Sequence, residues 1–385
     1  MSLIEYSEFH SELIEMARET AQSVLGGTLK EDDEVEQFRP EYIQQLGEAG
    51  LCGIPTSEEF DGLGQGYFEY ALALEEIAKV SPSYAVSVAV SGLPQVILQE
   101  FGTDKQKKEW ITGLAQGQYI GGFALSEPDS GSDAGSLMTV AEYDSSSDTY
   151  RLNGRKFWIT HGGYADIYIV MARTGGPGPK GVSAFIVSKG TKGLSFGKKE
   201  EKMGLRASPT AEMILEDAVI PASNLIGVEG QGFTVAMRAL DSGRITIAAS
   251  ALGIAQASLD ESAEYACVRK QFNKAIIQFQ GVGFMLADMA INIEQARLLV
   301  HKAALLKDAG KPFSQLAAMA KCSATDTAMK VTTDAVQVYG GYGYTREYNV
   351  ERHMRDAKVM QIVEGTNQIQ RLVIAKNLRK QYSNR

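Results

Sequence analysis

The sequence predicts an α+β fold that is mostly α-helical, with helices at both ends of the chain and a small β unit between them. Helix-forming residues dominate the first part of the chain, short β-rich runs begin at about Ile120, and helical periodicity returns after Pro221. The chain has 385 residues. A single hydrophobic core rarely extends over a chain of this length, so we expect two or three packed units. We place these units at 1–118, 119–228 and 229–385.

The first unit is predicted to be helical. Residues 69–78 read EYALALEEIA, a run of strong helix formers that Ser81 and Pro82 bring to an end. Residues 1–8 lack the basic and apolar pattern of a signal peptide, and no run approaches the roughly 18 apolar residues of a membrane span. A cytosolic protein is therefore expected, or a mitochondrial matrix protein if a transit peptide was removed.

The second unit is predicted to be all-β. Its β-rich runs lie at residues 150–152, 156–159, 165–170 and 182–187. Asn153 and Gly154 favour a hairpin turn between the first two runs. Glycines and prolines at 174–179 break any regular pattern, so this segment is predicted to be a loop between strands.

The third unit is predicted to be a bundle of long helices. One helix face is apolar at every third or fourth position, and its residues are Met285, Met289, Ile293, Ala296 and Val300. These side chains are expected in the core. Lys307, Gly310 and Pro312 then form a helix stop signal.

Charge and cysteine content exclude several classes of function. The net charge of -9 opposes nonspecific binding to nucleic acid or anionic membranes, and the acidic run 31–33 and mixed run 198–201 are interpreted as solvated faces. The three cysteines Cys52, Cys267 and Cys322 are far apart and odd in number, which predicts reduced thiols rather than disulfides or a metal site. With four histidines and no His-Glu-x-x-His pattern, neither zinc hydrolysis nor serine nucleophile chemistry is expected.

Glycine-rich stretches do not match the dinucleotide-binding fingerprint. Residues 230–235, GQGFTV, lack its third glycine. Residues 340–344, GGYGY, follow a helical pattern rather than a strand. A Rossmann fold is therefore not predicted.

A candidate base lies in residues 363–371, VEGTNQIQR, where Glu364 precedes a glycine and small polar side chains. A carboxylate can act as a general base when it is buried beside a substrate and an electrophilic group. A solvated turn would explain the same pattern. Other motifs must therefore decide between the two interpretations.

Two segments of the β unit suit a flat cofactor. Residues 122–133, GFALSEPDSGSD, offer backbone amides and the Ser126 hydroxyl to a phosphate or a polarised ring carbonyl, although an ordinary turn has the same composition. Residues 157–160, FWIT, place the Trp158 ring beside the Thr160 hydroxyl. This pair could cover one face and one edge of a flat ring, although a half-buried strand residue would also explain the tryptophan.

Together with residues 269–272 (RKQF), 337–341 (QVYGG) and 364–366 (EGT), these segments resemble the acyl-CoA dehydrogenase family in order and spacing over nearly the whole chain. Residues 239–245, ALDSGRI, are similar to the short-chain, butyryl-CoA-type branch. The resemblance implies an N-terminal helical domain, a central β-barrel-like domain and a C-terminal four-helix bundle. It also implies a homotetramer, a dimer of dimers, with FAD held across a subunit contact and an electron-transfer flavoprotein as acceptor. Membrane insertion is not expected.

The resemblance assigns contacts residue by residue. The FAD contacts within one subunit would be Phe123, Ala124, Leu125, Ser126, Gly131, Ser132, Trp158, Ile159, Thr160, Thr366, Asn367 and Gln368. Those from the neighbouring subunit would be Arg269, Phe272, Gln280, Gln337, Val338, Gly340 and Gly341. The substrate contacts would be Ser132, Asp241, Arg244 and Gly365. Ser126 would bond the pyrimidine edge of the ring, Trp158 would cover its face, and Thr160 would approach N5.

The resemblance also implies a reaction, the α,β-dehydrogenation of a saturated acyl-CoA with a short or branched short chain. Glu364 would remove the α proton while hydride leaves the β carbon for flavin N5, giving a trans-2-enoyl-CoA. Exclusion of water would raise the pKa of the base, and hydrogen bonds from the Glu364 N–H and a ribityl hydroxyl would stabilise the enolate. Isovaleryl- and long-chain-type relatives carry their base immediately before the arginine of 241–244, where this chain has Gly243.

Other interpretations remain open. No basic residue lies between Val80 and Gln95, which disfavours a glutaryl-CoA substrate, and Asn273 replaces a glycine common in relatives, which is expected to alter a turn beside the FAD diphosphate. An oxidase or monooxygenase of the same fold would use oxygen, but the chain is short for an oxidase and keeps Glu364. A third interpretation is a helical scaffold without catalytic activity. Such a protein would be colourless and could not be reconstituted with FAD.

Overall fold

The computed structural model describes residues 6–383. Residues 1–5, on which the absence of a signal-peptide pattern partly rests, lie outside the described residues. The helices of the first unit are α1 (Glu8–Leu25), α2 (Leu29–Val35), α3 (Pro40–Glu48), α4 (Tyr67–Val80), α5 (Pro82–Phe101) and α6 (Asp104–Ala115). The predicted break is confirmed, since α4 ends at Val80 and Pro82 begins α5. Proline is tolerated at this position because the N–H groups of the first helical turn have no partner within the helix, so the missing N–H costs no hydrogen bond.

The middle unit is all-β, as predicted. Its strands are β1 (Gly121–Ala124), β2 (Val140–Asp144), β3 (Thr149–Thr160), β4 (Ile167–Arg173), β5 (Val182–Ser188), β6 (Leu194–Lys199), β7 (Thr210–Pro221) and β8 (Leu225–Ile226). They form one sheet in the order β6-β7-β3-β2-β4-β5-β8, with β1 alongside β4 in parallel. The two ends of this order, β6 and β8, do not pair with each other in the described chain, so the barrel-like unit is open.

The predicted hairpin at Asn153 and Gly154 is wrong. Strand β3 runs straight through both residues, and its pairing with β7 shifts between Leu152 and Gly154. Gly154 has a φ of +151°, and a Cβ there would lie 2.5 Å from Thr139 Oγ1. The glycine therefore serves a bulge and a close approach rather than a turn.

Long helices form the third unit. They are α7 (Gly232–Val268), α8 (Gln280–Asp308), α9 (Ser314–Tyr339), α10 (Val350–Met360) and α11 (Asn367–Ser383), and the short strands β9 (Lys270–Gln271) and β10 (Lys274–Ala275) join α7 to α8. Helix α9 packs against α7, α8, α10 and α11, while α4 of the first unit packs on α7 and α8. The predicted apolar face of α8 is confirmed at Met289, Ile293, Ala296 and Val300, which are buried, while Met285 is half-buried and packs against the core.

The proposed boundaries after residues 118 and 228 fall in the connections between α6 and β1 and between β8 and α7. One surface prediction is wrong: Asp32 and Asp33 are buried, since each forms an ion pair, with Arg39 and Arg355 respectively. The arginines come from a later loop and from α10, so local sequence could not reveal them.

The three cysteines are free, as predicted. Within residues 6–383 there is no group of three or more His, Cys, Asp or Glu side chains placed to hold a metal ion. Across the same residues, no helix combines the length and apolar character needed to span a membrane.

Candidate active site

Glu364 lies in the short connection between α10 and α11. Its backbone is in the left-handed region, with φ +54°, and Gly365 follows at φ +87°. A non-glycine residue rarely adopts this conformation unless its surroundings hold it there. Here the Gln370 side chain donates hydrogen bonds to the Glu364 and Gly365 carbonyls, at 3.0 and 2.7 Å, so the turn is fixed from α11.

The Glu364 carboxylate has the electrostatics of a base poised near neutral pH. Its Oε2 atom is buried and has no hydrogen-bond partner among the described residues, although part of the residue reaches the surface. Burial raises its pKa to about 7, against the opposing charges of Arg244 and Lys321. A general base works best when its pKa lies near the working pH.

Gly243 on α7 lies directly against this carboxylate. A Cβ at Gly243 would lie 2.6 Å from Glu364 Oε2, closer than a van der Waals contact allows. The alternative base position and the Glu364 carboxylate therefore face the same space, from α7 and from the α10–α11 connection. The chain has a carboxylate at one of these positions and no side chain at the other.

Asp241 and Arg244, predicted to contact the substrate, lie on α7 beside Gly243. The Arg244 Nη1 donates to Asp241 Oδ1, which also accepts a hydrogen bond of 2.9 Å from the Ser314 hydroxyl. Arg244 Nε is buried and has no hydrogen-bond partner among the described residues. The arginine thus keeps one buried donor free, and its positive charge acts on the Glu364 carboxylate.

The segment predicted to hold a flat ring is built by two neighbouring pieces of chain. The Phe157 N–H donates to the Ser126 carbonyl at 2.8 Å, and Thr160 ends β3 opposite Thr210 of β7. Trp158 has φ +62°, and 62% of its surface is exposed. In a regular strand, successive side chains point to opposite faces of the sheet. Trp158 departs from this pattern because its backbone is left-handed, and its ring is presented to solvent beside Ser126.

The flat-ring segment and the part of α7 that precedes Asp241 share one hydrophobic cluster. Leu125 and Ala239 are buried in it, and Phe123 and Leu240 pack against it. Leu240 immediately precedes Asp241. The predicted cofactor loop and the start of the predicted substrate segment therefore share part of the core.

A buried ion pair supports the flat-ring segment, and sequence reasoning missed it. Lys156 Nζ lies 2.7 Å from Glu127 Oε1 and 3.1 Å from the Leu125 carbonyl. Burial lowers the pKa of Lys156 to about 8, and Glu127 opposes this effect. Burial works to raise the pKa of Glu127, but Lys156 and hydrogen bonds from residues 138 and 139 outweigh it and lower that pKa.

Replacing Lys156 with methionine is expected to cost about 3–5 kcal/mol of stability, because the Glu127 carboxylate would stay buried without its cation. A fall in the thermal unfolding midpoint of roughly 5 °C or more would follow. The control is Lys198→Met, since Lys198 and Glu201 form a fully exposed ion pair whose loss should leave the midpoint almost unchanged. Equal midpoints for the two variants would contradict this assignment.

Residues at the far end of α7 form a separate group. The Arg269 guanidinium lies 5.4 Å from the centre of the Tyr342 ring, and the Phe272 side chain is 88% exposed. Arg269 follows Arg244 by about 25 residues of helix, which span roughly 37 Å at about 1.5 Å per residue. These residues cannot complete the Glu364 site of their own chain.

The turn that contains Phe272 also accommodates Asn273. Phe272 and Asn273 both have positive φ, +49° and +62°, and connect β9 to β10. Asparagine tolerates the left-handed region better than most residues other than glycine. Asn273 therefore fits a tight two-residue hairpin between β9 and β10.

The remaining residues predicted to contact FAD or the substrate fall into an exposed set and a buried set. Exposed residues are Gly131, Ser132, Gln280, Gln337, Gly340, Gly341 and Gln368, and Thr366 is half-buried. The buried residues are Ala124, Leu125, Ile159, Val338 and Asn367. The Asn367 amide is bonded to Lys321, Thr325 and Asp326, so any contact of this residue with a ligand would come from its backbone.

A Gly-x-Ser-x-Gly sequence occurs at residues 193–197, GLSFG. Ser195 lies within β6 and pairs with Ile214 of β7. A nucleophilic serine of this motif needs a sharp turn between a strand and a helix. In this chain the motif is part of a regular strand and does not form that turn.

Family models match along the chain in three consecutive segments. Residues 7–118 match "Acyl-CoA dehydrogenase, N-terminal domain", residues 122–218 the middle domain and residues 230–379 the C-terminal domain of the same name.

Individual relatives match at full length. A short-chain specific acyl-CoA dehydrogenase of Clostridium acetobutylicum is 47% identical over 363 residues, 94% of this chain and 95% of the relative. The solved structure of butyryl-CoA dehydrogenase from Megasphaera elsdenii is 43% identical, with a TM-score of 0.96 over 98% of this chain and 100% of that chain. A structure named for the electron transferring flavoprotein of Acidaminococcus fermentans contains a chain 46% identical, with a TM-score of 0.96 over 98% and 99% of the two chains.

Proposed function

The chain belongs to the acyl-CoA dehydrogenase family, and we propose that it dehydrogenates short-chain acyl-CoA thioesters between the α and β carbons with Glu364 as the base. The short-chain preference is supported by the relatives from Clostridium and Megasphaera, whose names specify short-chain or butyryl substrates. The observation that carries the role of Glu364 is its buried carboxylate oxygen without a hydrogen-bond partner, set against Gly243.

The chain's own residues can perform the proton transfer. Glu364 accepts the α proton because its carboxylate is unpaired, partly shielded from water and raised in pKa to about 7. Arg244 keeps one buried donor free, and its positive charge favours the ionised form of the carboxylate. The left-handed turn at Glu364 fixes the direction of the carboxylate before substrate binds.

We propose FAD as the cofactor, and the residues present fit it. The exposed Trp158 ring, next to the Ser126 carbonyl that accepts from Phe157, offers a flat surface beside polar groups. When bound, FAD would supply the acceptor for the hydride that leaves the β carbon. Ser126, Trp158 and Thr160 would hold its ring, and the residues of 364–368 would lie near its substrate face.

A second copy of the chain is proposed to complete each site. Arg269 and Phe272 lie roughly 37 Å of helix away from Arg244 in the same chain, as calculated from helical rise. The exposed Phe272 ring and the half-buried Arg269 guanidinium suit the adenine and diphosphate of a cofactor bound mainly by a partner subunit. In the proposed homotetramer, dilution to monomers should release FAD, and a monomer that keeps FAD tightly would contradict the arrangement.

The proposed electron acceptor is an electron-transfer flavoprotein. The name of the related structure from Acidaminococcus fermentans supports this partner. An oxidase is the competing function. Stoichiometric hydrogen peroxide during turnover in air would favour it, and turnover that depends on added electron-transfer flavoprotein would favour the dehydrogenase.

The chain-length preference can be measured by anaerobic mixing of the yellow enzyme with straight-chain acyl-CoAs. We expect the flavin absorbance to bleach fastest with butyryl-CoA and progressively more slowly with octanoyl- and palmitoyl-CoA. Fastest bleaching with palmitoyl-CoA would contradict the short-chain proposal. A colourless protein that cannot be reconstituted with FAD would contradict the enzyme itself.

The pH dependence of flavin reduction should follow the Glu364 carboxylate. Only the ionised form can accept a proton, so the reduction rate should rise with pH through about 7 and level off above it. Stopped-flow measurements from pH 5.5 to 9 test this. A rate that stays constant down to pH 5.5 would contradict a base with raised pKa.

A further inference from the structure

We propose that Lys321 is a positioning residue for Glu364: its buried ammonium group holds the turn at residues 364–367 and supplies a positive charge that favours the ionised carboxylate. This inference rests on the proposed role of Glu364 as the base. Lys321 lies on α9, 43 positions before Glu364 in the sequence, and no motif singles it out.

The contacts of Lys321 are to the turn itself. Its side chain is fully buried, and its Nζ donates to the Gly365 carbonyl at 3.0 Å and to Asn367 Oδ1 at 2.9 Å. These two acceptors lie on either side of Thr366, immediately after Glu364. The ammonium group therefore bridges the residues that set the direction of the Glu364 backbone.

The turn is held from more than one side. The Gln370 amide also donates to the Gly365 carbonyl, and Thr325 Oγ1 lies 2.9 Å from the Asn367 amide nitrogen. Asp326 accepts from Asn367 at 2.7 Å. Because these hydrogen bonds do not involve Lys321, a variant at that position should still fold.

A charge at this position needs an explanation other than packing. The neighbouring α9 residues Ala317, Ala318 and Ala320 are buried, and an apolar residue would bury there without the cost of desolvating an ammonium ion. Burial lowers the pKa of Lys321 to about 8, and Glu364 is the first of the charges that oppose this effect. The buried cation and the buried carboxylate therefore stabilise each other's charged forms.

Other charged or titratable groups also face this pair. Arg244 acts on both from α7, and Cys322 and Asp326 act on Lys321 from α9. Arg244 has the same sign as Lys321 and is ion-paired with Asp241. Arg244 and Lys321 are the two cations that lower the pKa of Glu364. Removing Lys321 would therefore leave Arg244 to act alone.

The test is the pH profile of anaerobic flavin reduction by butyryl-CoA in Lys321→Met. In this variant the midpoint of the acid limb should rise by about one pH unit. At a pH below the midpoint, the variant should then reduce its flavin about tenfold more slowly than the parent enzyme. The difference should narrow by pH 9, because at that pH the Glu364 carboxylate is ionised in most molecules of both proteins. The matched control is Lys330→Met, an exposed lysine of the same helix paired with Asp334, which should keep the parental profile.

Two further variants separate charge from folding. Lys321→Gln is also neutral, but its side-chain amide can still donate hydrogen bonds, and it should show the same upward move of the acid limb if Lys321→Met does not fold. Thr325→Val removes an uncharged hydrogen bond of the same network, so its acid limb should stay at the parental pH. Movement of the limb in Thr325→Val to the same extent would overturn the role of the charge.

The outcomes distinguish this inference from the proposed function. If Lys321→Met and Lys321→Gln bind CoA and keep both the parental rate and the parental acid limb, the Lys321 inference is wrong. The base assignment would then stand or fall with Glu364→Gln alone, because that variant removes the carboxylate and leaves Lys321 in place.

Discussion

Glu364→Gln is expected to bind FAD and CoA but to reduce its flavin about 10²–10⁴ times more slowly than the parent enzyme when mixed with butyryl-CoA without oxygen. The amide has nearly the shape of the carboxylate but cannot accept the α proton. Because Glu364 Oε2 has no hydrogen-bond partner among the described residues, the substitution should break no contact of that atom in the unliganded protein. Stopped-flow absorbance measures the rate, and equilibrium titration measures CoA binding.

The matched control is Glu261→Gln. Burial also raises the pKa of Glu261, and this residue lies on α7 about 18 residues from Gly243, roughly 27 Å along the helix. This variant should reduce its flavin at the parental rate. Near-normal reduction in Glu364→Gln would overturn the assignment of the base.

Gly243→Ala is expected to lower the rate of flavin reduction by about 100-fold or more while leaving the fold intact. The added Cβ would lie 2.6 Å from Glu364 Oε2 and 2.9 Å from its Cδ, so the carboxylate must move. A displacement of about 1 Å at a reacting group can cost about 100-fold in rate. Alanine is favoured over glycine within a helix by about 1 kcal/mol, so the thermal unfolding midpoint should not fall.

The control for this substitution is Ser250→Ala on the same helix. Ser250 is buried and its hydroxyl donates to the Thr246 carbonyl within α7, away from Glu364. This variant should keep the parental rate. If Gly243→Ala reduced its flavin as fast as Ser250→Ala, the contact between Gly243 and the carboxylate would have no role in catalysis.

The sequence was sufficient where the pattern is local. The period of apolar residues on α8 and the break at Ser81 and Pro82 depend on neighbours within a few positions, and both are confirmed. The succession of helices, β unit and helices is confirmed for the same reason. A tight pair such as Asn153-Gly154 misled because glycine suits a bulge as well as a turn.

Contacts between distant segments could not be predicted from one sequence. Asp32 and Asp33 look solvated in their acidic run, and only the folded chain brings Arg39 and Arg355 to them. Lys156 and Lys321 are likewise ordinary lysines in the sequence, and both are fully buried. Their roles depend on Glu127 and on the Glu364 turn, which lie 29 and 43 positions away.

The Glu364 site itself was predictable in part. Motif resemblance identified Glu364, Gly243 and Arg244, but their mutual placement needs α7 to cross the α10–α11 connection. The raised pKa of Glu364 is a property of that placement, since burial is its main cause. Residue types and their spacing in the sequence do not show how deeply this carboxylate is buried.

One measurement tests the central claim, that Glu364 abstracts the α proton of a short acyl-CoA, most directly. Purified enzyme and Glu364→Gln are mixed anaerobically with one equivalent of butyryl-CoA, and flavin bleaching and the acyl-CoA product are followed together. We expect bleaching with matching formation of trans-2-butenoyl-CoA in the parent enzyme, and both about 10²–10⁴ times more slowly in the variant. Bleaching and enoyl-CoA formation at the same rate in both proteins would contradict it.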